Sequence, residues 1–331
     1  MDISLWITNK CNLSCDYCYE SKNQNNISMN KKMIRDCITF SFQYLENYLE
    51  KDIRIQIHGG EPFLEFDNIK YLVDYVKQNF SEKVSFLITT NGTVMNENIM
   101  KFIVKELKSI SISIDGQRKT HDRYRKNKYG VGSFDIAFRN AKMLLNNGVY
   151  VRIRSTFNSY TVKNLYEDIN FFVENGFKTI SSVADFSDNN WNETSLKELQ
   201  ENIEKIKILQ SENLNVNINI VDKNSHKVNG ICYGGKKSLS IYSDGSIFPC
   251  TITTGKEYFC IGNIYSGIDY KKLDYFLGQS HILNLECEGC KLYFECKSTR
   301  CKLINRILTG DFHKPTPIEC ELKRLYHNLL G

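Results

Sequence analysis

Residues 3–18 of the chain read ISLWITNKCNLSCDYC, a short apolar run followed at once by three cysteines. The run over residues 3–8 has the length and composition of a buried strand. Cys11, Cys15 and Cys18 come directly after it, separated by three and two residues. Active sites of α/β proteins form at the carboxyl ends of parallel strands. The segment therefore predicts an α/β fold with a thiol-rich site at the end of its first strand.

The same strand pattern recurs along the first 220 residues, with helical patterns between the strands. Further strands are predicted at residues 53–58, 84–90, 109–114, 150–156 and 179–184. Helices are predicted at residues 30–50, 68–80, 96–105, 133–146, 164–174 and 195–211. Six strand–helix repeats predict a parallel sheet, either open or curled into a partial (β/α)6 barrel.

Composition excludes several classes of protein. The chain has 331 residues, 41% of them hydrophobic, and a formal net charge of +5 from 43 basic and 38 acidic side chains. This usage is ordinary for a globular protein and argues against disorder. No apolar run approaches the roughly 20 residues that span a bilayer, and the first residues lack an export signal. We therefore expect a cytoplasmic protein with neither a membrane nor a nucleic acid as partner.

Twelve cysteines are unusual for a protein of the reducing cytoplasm. There they point to metal ligation or redox chemistry rather than to disulfides. Four lie near the start of the chain and eight between Cys232 and Cys320. The sequence thus predicts a core domain over residues 1–225 and a small cysteine-rich domain over 226–331. The second domain has a hairpin signal at residues 243–246 and a final helix near 319–330, and metal would supply its stability.

Three thiolates in one loop suit a cubane iron–sulfur cluster. They hold three irons and leave the fourth open to a ligand that is not protein. Structural zinc is the alternative, but it requires four closed ligands, and His58 is the only imidazole in the first hundred residues.

The motif Cys-x3-Cys-x2-Cys, with Tyr17 before the third cysteine, resembles the signature of the radical S-adenosylmethionine (radical SAM) enzymes. Four further motifs of that family follow in order on successive predicted strands. They are Gly59-Gly60-Glu61-Pro62, Thr89-Thr90-Asn91-Gly92, Ser113-Ile114-Asp115-Gly116 and Arg154-Ser155-Thr156. Each is commonplace alone, as a turn, a strand end or a surface charge. Their joint order argues against coincidence, and the resemblance covers about residues 1–220.

The resemblance implies that Cys11, Cys15 and Cys18 hold a [4Fe-4S] cluster that binds S-adenosylmethionine (SAM). Glu61 would accept the SAM ammonium, Ser113 and Asp115 the ribose hydroxyls, and Arg154 would pair with the SAM carboxylate or with Glu61. The full set of implied SAM contacts is Tyr17, Gly59, Gly60, Glu61, Pro62, Asn91, Ser113, Asp115 and Arg154. In the family, one electron from the cluster cleaves SAM, and the 5′-deoxyadenosyl radical removes a hydrogen atom from the substrate.

The later cysteines resemble the SPASM domain, which adds two auxiliary iron–sulfur clusters to radical SAM enzymes that act mostly on peptides and proteins. The resemblance assigns an outer cluster to Cys287, Cys290, Cys296 and Cys320, and an inner one to Cys232, Cys250 and Cys301. One departure is the spacing from Cys296 to Cys301, which has four intervening residues where the family usually has three. A zinc ribbon around Cys287 and Cys290 is the alternative.

The inner cluster lacks a fourth cysteine before Cys232, a position that some relatives fill. An open iron there would bind a substrate thiolate; ligation by another side chain or by water is the alternative. Two cysteines remain. Cys37 lies in an apolar helical pattern and is interpreted as a buried, inert thiol. Cys260 is the catalytic candidate, as a fourth ligand or a hydrogen-atom donor, and a packed thiol is the alternative.

We expect a maturase of a ribosomally made precursor peptide that forms a thioether or other cross-link. Sulfatase maturases of this type carry an acidic residue after the second auxiliary cysteine, whereas this chain has Thr251. Sulfatase maturation and peptide epimerisation are the alternatives, and a non-catalytic metal-stabilised module is a remote one. The expected partners are the peptide and an electron donor such as flavodoxin or ferredoxin. Only ten residues precede Cys11, so we expect a leader to be bound by the body of the enzyme, by a separate protein, or not at all.

Overall fold

The computed structural model describes residues 1–18, 20, 26–46, 52–80, 83–222, 232–293, 296 and 301–330. They form two compact units. The first unit comprises Met1–Ser113, Tyr124–Val151 and Tyr233–Asp274, and the second comprises Ile114–Arg123, Arg152–Cys232 and Tyr275–Gly331. Each unit contains residues from both sides of residue 225. The predicted domain boundary between residues 225 and 226 lies outside the described residues and stays a prediction.

The elements are numbered in chain order. The described strands are β1 (Asp2–Thr8), β2 (Asp52–Gly59), β3 (Lys83–Thr90), β4 (Ser109–Ser113), β5 (Tyr150–Phe157), β6 (Thr179–Ala184), β7 (Asn217–Ile218), β8 (Ser238–Ile241), β9 (Ser246–Phe248), β10 (Gly262–Asn263) and β11 (Gly267–Ile268). The described α-helices are α1 (Lys31–Glu46), α2 (Phe66–Asn79), α3 (Glu97–Phe102), α4 (Arg118–Tyr124), α5 (Phe134–Asn146), α6 (Leu165–Glu174), α7 (Glu193–Glu212), α8 (Tyr270–Gly278), α9 (Lys302–Thr309) and α10 (Pro317–Leu330).

The six predicted strands are all present, each within one residue of its predicted ends. The predicted helices are also present, with ends within two residues of the prediction except at two places. The helix predicted over residues 30–50 is described as far as Glu46, and residues 47–51 lie outside the described part. The helix predicted over 96–105 ends at Phe102, and the wider π-helical turn Ile103–Leu107 follows it.

The sheet of the first unit is mainly parallel and runs in the order β11-β10-β9-β8-β1-β2-β3-β4. Its strand β1 pairs in parallel with β2 on one side and with β8 on the other. Ile3, Leu5, Trp6 and Ile7 of β1 are completely buried. A parallel strand covered on both faces has this continuous apolar sequence. The carboxyl end of β1, where the cysteine loop begins, is therefore anchored at the centre of the unit.

The predicted hairpin at residues 243–246 is confirmed, because β8 and β9 are antiparallel across it. Its Asp244 carboxylate accepts the Ser246 backbone N–H at 2.9 Å, and the Ser243 hydroxyl donates to the Trp6 carbonyl at 2.8 Å. The parallel pairing of β8 with β1 was not predicted. The cysteine-rich part of the chain thus contributes strands to the sheet that holds the first cysteine loop.

The second unit contains the parallel strands β5, β6 and β7, of which β5 counts from Arg152 onward. Helix α7 begins with a capping box in which Asn192 accepts the Ser195 N–H at 3.0 Å and the Ser195 hydroxyl accepts the Asn192 N–H at 2.9 Å. Asn202 of α7 accepts the Tyr166 N–H at the start of α6 at 2.8 Å. The two helices are thereby fixed against each other. No described helix has the length and apolarity to cross a membrane.

Lys108 ends the π-helical turn in the left-handed conformation, with φ of +59°. This conformation costs a residue with a Cβ about 1–2 kcal/mol, whereas glycine adopts it freely. We expect Lys108→Gly to raise the free energy of unfolding by about 0.5–1 kcal/mol after the entropy of the glycine is counted. Lys101→Gly, at an exposed position inside α3, is the matched control and should lower it by about 1 kcal/mol. Urea unfolding of both variants measures the difference, and equal destabilisation by both would contradict the prediction.

Candidate functional site

The three cysteines after β1 lie close together. Cys11 is exposed as a residue, yet protein atoms surround its thiol: desolvation raises its pKa to about 12, and the charges of Glu61, Cys15 and Cys18 add to the rise. The Leu13 N–H donates to the Cys11 sulfur at 3.4 Å. A thiol with so high a pKa becomes a thiolate near neutral pH when a metal replaces its proton. The loop thus presents three thiols suited to one cluster.

Backbone hydrogen bonds hold this loop to the last residue of α4 and to the segment that follows it. The Ser14 N–H donates to the Lys126 carbonyl at 2.7 Å, and the Asp16 N–H donates to the Tyr124 carbonyl at 3.1 Å. Further along the loop, the Cys18 N–H closes a turn onto the Cys15 carbonyl at 3.1 Å. The spacing of the thiols is therefore set by backbone geometry.

The Gly59-Gly60-Glu61-Pro62 turn at the end of β2 touches the start of the cysteine loop. The Gly60 N–H donates to the Thr8 carbonyl at 3.0 Å, and the Glu61 N–H donates to the Lys10 carbonyl at 2.8 Å. A Cβ on Gly60 would lie within 2.4 Å of the Lys10 carbonyl oxygen. Glycine is therefore required for the two backbones to approach this closely.

Glu61 is completely buried and joins two of the predicted motifs. One oxygen, Oε1, accepts the Thr90 hydroxyl at 2.7 Å and the Phe63 N–H at 3.1 Å, and Oε2 accepts the Asn91 N–H at 2.7 Å. Burial raises the pKa of Glu61 to about 7, although these hydrogen bonds act in the opposite direction. A carboxylate has about four lone-pair positions, so one remains for a ligand ammonium.

Asn91 links the end of β3 to the cysteine loop. Its Nδ2 donates to the Asn12 side-chain oxygen at 2.9 Å and lies 3.8 Å from the Cys11 sulfur. Its Oδ1 accepts the Thr93 N–H at 2.9 Å. The next residue, Gly92, is held by Asn140 of α5, whose Nδ2 donates to its carbonyl at 2.8 Å. The structure thus brings the Cys11, Glu61 and Asn91 motifs together within the first unit.

Three more predicted SAM contacts also lie in the first unit. The Tyr17 ring is 5.9 Å from the Tyr124 ring, and the Arg125 guanidinium lies 5.3 Å from the Tyr17 ring centroid. Pro62 is buried and begins a short 3-10 helix. Ser113 is the half-buried last residue of β4. No described contact tests their predicted roles.

The remaining two predicted SAM contacts lie in the second unit. Asp115 is buried, its Oδ1 accepts the Thr156 N–H at 3.0 Å, and its own N–H donates to Nδ1 of the buried His121 at 3.3 Å. Arg154 lies on β5 with its side chain exposed, and its carbonyl accepts the Ile114 N–H at 3.0 Å. Hydrogen bonds therefore fix the backbone that carries both charged groups.

Three of the four cysteines predicted for the outer auxiliary cluster are close to one another in the second unit. Burial raises the pKa of Cys320 to about 11, and the neighbouring charges of Cys287 and Cys296 contribute to the rise. Cys290 is exposed, and its N–H closes a turn onto the Cys287 carbonyl at 3.1 Å. In the described residues, no three His, Cys, Asp or Glu side chains converge closely enough to hold a single metal ion. The ligand assignments therefore stay predictions.

The cysteines predicted for the inner cluster are divided between the units, with Cys250 in the first and Cys232 and Cys301 in the second. This assignment stays a prediction. The Cys250 sulfur lies 3.8 Å from the Thr253 hydroxyl. Cys260, the catalytic candidate, donates its thiol proton to the Gly262 carbonyl at 3.2 Å.

Sequence reasoning missed a buried polar group beside the cysteine loop. Glu20 is buried, and desolvation raises its pKa although Tyr242 donates a hydrogen bond to it at 3.3 Å. Asn9 donates to the same Tyr242 oxygen at 3.4 Å. Nearby in the sheet, the His58 ring stacks on Trp6 at 4.7 Å. The sequence offered one indication of this group, which is that Glu20 lies two residues after Cys18. Its partner Tyr242 could not be predicted, because it lies on the distant hairpin that joins β8 to β9.

The family model described as Radical SAM superfamily matches residues 6–174, about half of the chain. Among curated relatives, an uncharacterized protein of Methanocaldococcus jannaschii is 32% identical over 263 residues, which cover 78% of this chain and 87% of that protein. A cysteine-type anaerobic sulfatase-maturating enzyme of Clostridium novyi is 25% identical over 88% of this chain and 85% of the enzyme. The radical SAM cyclopropyl synthase TigE of Paramaledivibacter caminithermalis is 25% identical over 89% of this chain and 66% of TigE.

A solved structure described as native anSMEcpe with bound AdoMet and Cp18Cys peptide matches with a TM-score of 0.81 at 21% identity. The match covers 99% of this chain and 96% of the other. This likeness shows the fold. The predicted α/β class, a partial barrel of the radical SAM type with a cysteine-rich SPASM region, is thereby confirmed, while the number of auxiliary clusters stays a prediction.

Proposed function

Because the chain belongs to the radical SAM superfamily, we propose that it is a maturase that cross-links a ribosomally made precursor peptide, using a radical generated from SAM. The observation that carries this proposal is the loop with Cys11, Cys15 and Cys18, which the Glu61 turn contacts directly. Three thiols in one loop suit a cubane with one iron open to SAM.

Each predicted SAM contact has a role in the proposed function. In the first unit, Glu61 accepts the ammonium at its remaining lone pair, and the Gly59 and Gly60 backbone lets the methionine end approach. Tyr17, Pro62, Asn91 and Ser113 complete the contacts there. The roles proposed for the other two residues are the ribose hydroxyls for Asp115 and the carboxylate, or Glu61, for Arg154. When bound, the cluster supplies the electron that cleaves SAM.

A peptide substrate is supported by the relatives and by the later cysteines. The Clostridium novyi relative matures sulfatases, and the solved structure holds a peptide. Cys287 and Cys296 lie near enough to Cys320 in the second unit for their charges to raise its pKa, which supports a shared role for these three cysteines. Two auxiliary clusters, a cytoplasmic location, a flavodoxin or ferredoxin as electron donor and a separate leader-binding protein belong to the same proposal.

Sulfatase maturation is the second candidate, because a curated sulfatase-maturating enzyme matches most of this chain. The identity of one residue favours cross-linking over sulfatase maturation. The half-buried Thr251 follows Cys250, so the carboxylate expected there as a general base of sulfatase maturation is absent from that position. Peptide epimerisation is a further alternative.

The test is anaerobic incubation of the reconstituted enzyme with SAM, dithionite and synthetic copies of short cysteine-containing peptides encoded beside its gene. A thioether forms when the 5′-deoxyadenosyl radical takes one hydrogen atom from carbon, the thiol loses its proton, the thiolate sulfur bonds to the carbon radical, and one electron passes to an oxidised iron–sulfur cluster of the proposed auxiliary set. We expect the peptide to lose two hydrogens and one alkylatable thiol for each SAM consumed.

Two other outcomes contradict cross-linking. A product that reacts with an aldehyde reagent identifies formylglycine and hence the sulfatase-maturating activity. A product of unchanged mass that takes up deuterium from D2O identifies epimerisation. Omitting SAM is the control in each case.

A further inference from the structure

A second buried carboxylate, Asp168 of α6, lies directly beneath the turn that carries Asp115. Asp168 is only 3% exposed. Its Oδ1 accepts the Gln117 N–H at 2.8 Å, and the Thr120 hydroxyl donates another hydrogen bond to it. Gln117 immediately precedes α4, and Thr120 lies in its first turn. Asp168 therefore accepts hydrogen bonds from both sides of the start of α4, from a position on a different helix.

The approach of Asp168 to this turn depends on Gly116. A Cβ on Gly116 would lie between 2.2 and 2.5 Å from the carboxyl carbon and both oxygens of Asp168. The carboxyl group thus occupies the space that any other side chain at residue 116 would need. Packing and hydrogen bonding together leave the turn little freedom beside the Asp168 carboxylate.

Asp115 is fixed from two further directions within the same unit. The Thr156 N–H donates to its carboxylate, and His121 accepts its backbone N–H. Asp168 fixes the same turn through its hydrogen bond from the Gln117 N–H. The two carboxylates are close enough for the charge of Asp115 to raise the pKa of Asp168. A displacement of the Gly116 backbone would move Asp115 directly.

We propose that Asp168 is a positioning residue for the nucleoside end of SAM, which holds the Asp115-Gly116-Gln117 turn so that the Asp115 carboxylate meets the ribose hydroxyls. The inference rests on the ribose role of Asp115 in the proposed function. It is independent of the identity of the peptide. Asp168 itself does not touch SAM in this account.

The test compares Asp168→Ala and Asp168→Asn with Glu167→Gln, a neighbouring exposed carboxylate on the same helix. Each reconstituted holoenzyme is titrated anaerobically with SAM, S-adenosylhomocysteine and methionine, and binding is followed by calorimetry and by the spectrum of the reduced cluster. We expect Asp168→Ala to raise the Kd of the two nucleoside ligands about 10-fold or more, which corresponds to about 1.4 kcal/mol. The Kd of methionine should stay unchanged.

The conservative variant Asp168→Asn keeps a side-chain oxygen that can accept the Gln117 N–H, so it should restore most of the SAM affinity. Asp115→Ala is the reference arm. If Asp115→Ala leaves SAM binding unchanged, the ribose role assigned in the proposed function fails. If Asp115→Ala weakens binding but Asp168→Ala does not, or if Asp168→Ala weakens methionine binding equally, the positioning role is wrong and Asp168 is merely structural.

A pH profile gives a second readout. Burial raises the pKa of Asp168 to about 7, the Gln117 and Thr120 hydrogen bonds lower it, and Asp115 and Glu167 raise it further. The folded-state pKa lies above the ordinary value, so the stability that the protonated group contributes is present at low pH and is lost as pH rises toward about 7. The thermal midpoint of Asp168→Asn relative to wild type should therefore rise between pH 5 and pH 8. A difference in thermal midpoint that stays constant with pH would show that Asp168 does not titrate in this range. The nearby basic group on α4 is His121, which contacts the Asp115 backbone.

Discussion

Replacing Cys11, Cys15 and Cys18 together with alanine is expected to abolish the formation of 5′-deoxyadenosine. The three thiols lie in one backbone-defined loop, and the charges of Cys15 and Cys18 raise the pKa of Cys11, so they act as one ligand set. The auxiliary ligands lie elsewhere in the chain and should still load. Iron content should then fall from about twelve to about eight per chain, because a cubane holds four.

Cys37→Ala is the matched control, since Cys37 is a completely buried thiol on α1 of the same unit. It should leave both iron content and SAM cleavage at wild-type values. Anaerobic reconstitution, iron and sulfide analysis, and chromatography of the nucleoside product are the measurements. Retained SAM cleavage in the triple variant would contradict the assignment of these three cysteines as cluster ligands. Zinc in place of iron in the wild type would contradict the proposal that the protein cleaves SAM.

Gly60→Ala is expected to weaken SAM binding about 100-fold, a loss of about 3 kcal/mol. The added Cβ would stand 2.4 Å from the Lys10 carbonyl oxygen and 2.8 Å from that of Asn9. Both contacts are with backbone, which cannot rotate away as a flexible side chain does. The β2 turn and the cysteine loop must therefore separate, and Glu61 moves with the turn.

Gly278→Ala provides the control, because a Cβ at Gly278 meets no atom within 4 Å. It should bind SAM as the wild type does. Calorimetric titration of SAM into each reconstituted enzyme gives the Kd, and the thermal midpoint separates a local effect from unfolding. Wild-type affinity in Gly60→Ala would show that the close approach of the two backbones has no part in binding.

Local patterns predicted most of the fold. The strand over residues 179–184 has the same ends in the structure, and the strand over 3–8 begins one residue earlier. These strands combine β-branched residues with clear turn residues on either side, and local sequence is enough to define them. Helix α4 was missed because its seven residues, RKTHDRY, carry little apolar periodicity. The residue before it, Gln117, donates its N–H to Asp168, which follows the helix at a distance in the chain.

The site was predictable where its chemistry is local. The cysteine loop and the motifs after β2 and β3 are recognisable by residue type and spacing, and the structure brings them together. What spacing does not reveal is which partner a buried group takes. Glu61 was expected as a ligand for ammonium, yet most of its acceptor capacity holds Thr90, Asn91 and Phe63. The Glu20–Tyr242 pair joins residues that lie far apart in the chain, which a pattern read along the sequence cannot detect.

The pairing of β1 with β8 has a consequence for how the protein is made. β1 leaves the ribosome long before β8, and its residues Asp2–Leu5 find their second partner only when Ser238–Ile241 has been synthesised. Until then the central strand of the first unit keeps an apolar, unpaired edge, which is a template for aggregation. A nascent chain that stops before β8 would leave that edge unpaired next to the cysteine loop. The last third of the chain thus supplies the strand that covers this edge of β1.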